Sequence, residues 1–152
     1  MKIASVFLMS VIYIQLFACK KNNVSTPTQN NSNDTSSNKM KITIGSAVFT
    51  VTLNNNATAK AFKAMLPLII NMDELNGNEK FFYLATTLPT NASSGGSIQA
   101  GDLMLYGNNC LVLFYEGFNT FYSYTRLGSI DNSSGLVAAL GAGSVTVKFE
   151  KQ

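Results

Sequence analysis

The sequence predicts a mainly β fold, a closed barrel of about eight strands with two short helices, and three observations predict it. Apolar residues recur with a period of two in many short segments, from Ile42 and Ile44 near the start to Val145, Val147 and Phe149 at the end. Turn signals built from Gly, Asn and Pro separate these segments at short intervals. Helical spacing occurs in only two stretches, near Ala57 and near Gly135. Closure is favoured over a sandwich because a closed sheet leaves no unpaired edge.

The first residues have a different character. Lys2 is followed by an apolar stretch over residues 3–17, broken only by Ser5, Ser10 and Gln15, and Ala18 stands before Cys19. That layout is a signal peptide over residues 1–18, too short for a comfortable membrane span. Leu16, Phe17, Ala18 and Cys19 resemble the lipobox read by lipoprotein signal peptidase, and cleavage would leave Cys19 as a lipidated first residue. The expected product is an extracytoplasmic lipoprotein held to a bacterial membrane by its N-terminal lipid. Lys20 replaces the aspartate that commonly retains lipoproteins at an inner membrane, which favours the outer membrane and a periplasmic setting where the cell has them.

Residues 19–38 consist almost entirely of Asn, Ser, Thr and Lys after the cysteine. Such a segment buries too little apolar surface to offset its ordering entropy, so it reads as a tether, with the folded domain expected over 39–152. Ile42 and Ile44 alternate with Lys41 and Thr43, and after a turn at Gly45 and Ser46, Phe49, Val51 and Leu53 alternate with Thr50 and Thr52. Both segments read as half-buried strands. A polar cap region then precedes Ala57; Ala61, Phe62, Met65 and Leu66 have helical spacing, and Pro67 stops a helix predicted to end near Leu66.

Residues 68–72 follow, then a turn at Asn76 and Gly77 and a strand over 79–84. Residues 88–97, rich in Pro, Asn, Ser and Gly, read as a loop long enough to matter functionally. Strands are predicted over 102–107, 109–118 and 122–130, a second short helix over 135–140 that stops at Gly141, and a last strand over 144–150.

Composition excludes several classes of function. With 46% hydrophobic and 12% charged residues, the 152-residue chain should fold as one domain. Loss of Lys2 with the signal would leave 10 basic against 8 acidic residues, a net of +2, which points to no nucleic-acid partner. Histidine is absent, which removes Ser-His-Asp and Cys-His nucleophiles and nearly all ordinary zinc sites. Asp73, Glu74, Glu79 and Asp102 match no calcium loop and read as turn or cap residues. The Gly-rich residues 141–144 end a helix and open a strand, the reverse of a dinucleotide fingerprint. Cys110 lies in an apolar run and reads as a buried, inert thiol. No cofactor, metal or intrachain disulfide is expected, and the chain is expected to be a monomer.

The segments MKITIG with FTVTL, NATAKAF, ELNGNEKFFYLATTLPTN, AGDLMLYGNN, LVLFYEGF, YSYTRLGSI and GLVAALGAGSVTVKFE, in that order, resemble the bacterial cyclophilin-like domain family of unassigned function. The resemblance covers residues 40–150 and implies a cyclophilin-like barrel with two helices. True cyclophilins carry a Phe-His-Arg segment on the strand after the first helix, whose arginine polarises the prolyl amide. The corresponding residues 78–84 offer Lys80, Phe81, Phe82 and Tyr83, with neither arginine nor histidine. Fold does not carry function with it.

Aromatic residues are dense from Tyr106 to Tyr124, and alternation would place about half of them outside the barrel. Tyr83, Asn91, Tyr106, Tyr122, Tyr124 and Arg126, with the loop over residues 90–97, form the predicted groove for a peptide or small ligand. Three readings follow: a non-enzymatic binding module, a divergent prolyl isomerase using Lys80 or Arg126, and an accessory lipoprotein that docks to a partner protein.

Overall fold

The computed structural model describes residues 37–152. The predicted signal peptide, the lipidation site Cys19 and residues 20–36 lie outside the described residues. From Lys39 onward the alternation seen in the sequence becomes sheet. β1 (Lys39–Ile44) and β2 (Ala47–Leu53) pair as a hairpin in which Ile42 faces Phe49 and Met40 faces Val51. α1 (Ala57–Ala64) starts where Asn56 accepts a hydrogen bond from the Ala59 N–H at 2.8 Å, and it buries Thr58, Ala59 and Phe62. The helix ends at Ala64, short of the predicted Leu66, because the chain must turn before Pro67.

The remaining elements are β3 (Leu68–Leu75), β4 (Glu79–Tyr83), β5 (Ser93–Ile98), β6 (Asp102–Tyr106), β7 (Cys110–Phe114), β8 (Phe118–Ile130), α2 (Leu136–Leu140) and β9 (Val145–Lys151). All strand pairs are antiparallel, in the order β2-β1-β9-β3-β4-β7-β6-β8. β8 returns to β2 through Val51 with Ile130, Thr52 with Ser129 and Leu53 with Gly128, which closes a ring of eight strands. The predicted mainly β class, closed ring and pair of short helices are therefore present.

Two segments differ from the sequence reading. Residues 93–98 form β5, a ninth strand outside the ring, where a loop over 88–97 was expected. Their Ser and Gly content carries no strand propensity, and pairing with the first half of β8 is what extends them. The two strands expected over 109–118 and 122–130 are present with shifted bounds: the first ends at Phe114 as β7, and β8 starts earlier, at Phe118, and runs 13 residues. Its first half serves β5 and its second half serves β6 and β2. The strand directly after α1 is β3; residues 79–83 form the next one, and neither carries arginine or histidine.

Side chains fill the ring. Ile42, Val51, Leu103, Leu111, Leu127, Val147 and Phe149 belong to one buried cluster, and Phe62 of α1 meets Phe149 edge-on at 5.7 Å. Lys80 is fully buried as part of this inner set. Its Nζ donates to Glu74 at 2.5 Å and to the carbonyls of Gly141 at 3.0 Å and Gly143 at 2.6 Å, so its charge is paired and its three donors are satisfied.

Candidate functional site

Strand alternation gives the ring an outer face as well as a filled interior, and on β4, β7, β6 and β8 that outer face is aromatic. The register sets Tyr83 opposite Cys110, Cys110 opposite Tyr106 and Tyr106 opposite Tyr124, one row across four strands. A second row runs Phe81, Val112, Met104. Ile98, Phe114 and Phe118 join Met104, Cys110, Val112, Phe81 and Tyr124 in an apolar cluster separate from the interior one.

Beyond Tyr124, where pairing with β6 ends, the first half of β8 supplies a wall with Phe118, Thr120 and Tyr122. Between this wall and the two rows lies a cavity of about 460 Å³. Tyr106 meets Tyr122 edge-on at 6.1 Å and Tyr124 at 5.5 Å. Tyr83, Tyr106 and Tyr122 stand 62%, 44% and 65% exposed, while Tyr124 is buried. The exposed rings form the mouth and Tyr124 the depth.

At the other end of the cavity β3 and β4 contribute Leu75, Asn76, Asn78 and Glu79. Glu79 is only 8% exposed, and among the described residues its carboxylate has no hydrogen-bond or ion-pair partner. Burial raises its pKa, with the Glu74 charge acting in the same direction. The side-chain oxygen of Asn78 is also buried without a donor. Burial pushes the Tyr124 hydroxyl up to about 12, with Glu79 the next cause, and it raises the Cys110 thiol in the same way. Cys110 is the free, buried thiol the sequence predicts.

Of the predicted groove residues, Tyr83, Tyr106, Tyr122 and Tyr124 converge on this cavity and two do not. The Asn91 N–H donates to Thr125 Oγ1 at 3.0 Å, and by alternation Thr125 faces the opposite side of β8 from Tyr124. Arg126 donates to Asp102 at 3.0 Å and to the carbonyls of Gly95 at 3.2 Å and Ser97 at 3.3 Å, which straps β5 to the ring. The segment over 90–97 is likewise absent from the lining because it is spent on that pairing. Sequence reasoning missed Glu79, taken for a turn residue, although its alternation with Phe81 and Tyr83 on one strand puts all three on one face.

No lysine, arginine or histidine lines the cavity, and Lys80 and Arg126 are both committed to internal partners. Among the described residues no group of three metal-ligating side chains exists; Glu74 is held by Lys80 and Tyr115, Asp102 by Arg126, and Asp73 accepts from Ser144.

A family model described as the cyclophilin-like family matches residues 42–150. Among solved structures, the chain is similar to the solution structure of a hypothetical protein from Archaeoglobus fulgidus, with a TM-score of 0.53, 18% identity, and coverage of 77% of this chain and 96% of that one. No curated protein matches it in sequence.

Proposed function

The chain belongs to the cyclophilin-like family, and from that premise we propose that it is a non-enzymatic binding module, lipid-anchored through Cys19 on the extracytoplasmic side of a bacterial membrane. The aromatic cavity outside the ring is its ligand site. One observation carries this reading: four tyrosines from β4, β6 and β8 surround a cavity that the chain's own core leaves unfilled, while the ring interior is packed. A volume of about 460 Å³ lies within the range of small-molecule sites, so a small ligand fits better than an extended peptide.

The isomerase reading lacks its chemical group. Polarising a prolyl amide needs a cation or strong donor at the bound carbonyl, and the two candidates are occupied elsewhere, Lys80 inside the ring and Arg126 on the β5 carbonyls.

Chemical-shift mapping of the full chain against a panel of aryl-alkyl compounds, charged and neutral, tests the site. Saturable shifts should centre on Tyr83, Tyr106, Tyr122 and Tyr124 and leave Arg126 unmoved, and Tyr106→Ala should weaken binding about tenfold, the scale of one lost ring contact. Shifts centred away from those rings, or none with any member of the panel, would overturn the assignment.

A further inference from the structure

We propose that the ligand is a small organic cation, a primary ammonium on an apolar body, whose charged end is taken by Glu79 and whose body lies along the aromatic rows. This deepens the reading of the cavity as a ligand site and rests on it.

Glu79 is the only charged side chain in the lining, and it is nine-tenths buried without a partner among the described residues. A buried carboxylate in that condition costs stability unless something supplies the opposite charge. The chain holds two other buried or half-buried carboxylates nearby in the fold, Glu74 and Asp102, and pairs each with a cation of its own. Glu79 is the exception, and it faces a cavity that can admit a partner from outside.

Asn78 presents a second acceptor in want of a donor, so the end of the cavity asks for N–H groups as well as positive charge. Along the remaining length the walls are rings: Phe81, Tyr83, Tyr106, Tyr122 and Tyr124, whose π faces attract a cation and whose surface covers an apolar body. Glu79 and Tyr83 lie four residues apart on β4, which sets about 13 Å from the acidic end to the mouth. An anion would meet Glu79 and four phenol rings with no cation to offset them.

The test is a titration of the full chain with three probes that share one skeleton, phenylpropylammonium, phenylpropanol and phenylpropanoate, followed by the ring resonances of Tyr106 and Tyr122. The ammonium should bind about tenfold tighter than the alcohol and the carboxylate most weakly, and Glu79→Gln should abolish the ammonium's advantage over the alcohol. Retained alcohol binding also reports that the variant's cavity is intact; if it is not, the order of the three probes on the unmodified chain decides. An alcohol that binds as well as the ammonium, or an advantage that survives Glu79→Gln, overturns the cation but keeps the ligand site. No saturable shift with any probe overturns both.

Discussion

Burial decides the ionisation of individual residues here, and two tyrosines make that measurable. Burial, with the Glu74 hydrogen bond and charge, pushes Tyr115 up to about 12, and burial with the Glu79 charge does the same for Tyr124, against an ordinary value of 10.0. The fold thus favours the neutral phenols, a contribution present below about pH 10 and lost as pH rises through about 12. Absorbance titration should show two late-ionising tyrosines, Tyr115→Phe and Tyr124→Phe should each remove one, and a single step near 10 from a folded chain would contradict the burial argument. Glu79 follows the same sign at lower pH. Its pKa is raised above 4.5 in the fold, so the stabilising effect of its protonated form is complete below that value and fades as pH rises. Glu79→Gln should therefore raise the melting temperature at neutral pH, with the gap closing in acid, as expected of a charge retained for binding at a cost in stability.

Among the elements, β8 does the most, since it holds β5, β6 and β2 along a single strand. The ring closes over three residue pairs, and at Gly128 an added Cβ would sit 2.3 Å from the Thr52 carbonyl oxygen. That atom is backbone and cannot swing away, so Gly128→Ala should destabilise the fold by about 1–3 kcal/mol, read from urea denaturation. At Gly95 an added Cβ would meet the Thr120 methyl at 2.7 Å and the Tyr124 ring at 3.1 Å. Gly95→Ala should cost less, because its closest neighbour is a side-chain methyl and the nearest backbone atom, the Tyr122 carbonyl oxygen, stands farther off at 3.1 Å, yet it should alter ligand affinity by moving a wall and the depth of the cavity. The sequence exposes the ring strands well, since Ile42, Val51, Val147 and Phe149 each mark an inner face by alternation. It conceals β5, whose Ser and Gly residues are strand only because β8 lies beside them, and it conceals the fate of Arg126, which depends on which carbonyls β5 brings within reach. The tyrosine row was legible for the same reason as the core, while Glu79 was hidden by its neighbourhood: next to a turn, an acid reads as a turn residue.

At the scale of the whole molecule, the proposed ligand site and the proposed anchor fall on separate parts of the chain. Every residue that lines the cavity lies between Leu75 and Tyr124, inside the stretch over 42–150 that the family model matches, whereas the proposed membrane attachment depends on Cys19. Among the described residues no helix is long and apolar enough to cross a membrane. A single acyl signal gives marginal binding, but the diacylglycerol expected on Cys19 supplies two chains, enough for stable anchoring. Cys19→Ser should therefore abolish incorporation of labelled fatty acid and move the chain from the membrane to the soluble fraction, while leaving the ammonium probe's affinity unchanged. If the variant stays with the membrane, Cys19 is not the anchor; if it is released but its probe affinity falls, the site is not contained in the cyclophilin-like domain and the separation argued here fails.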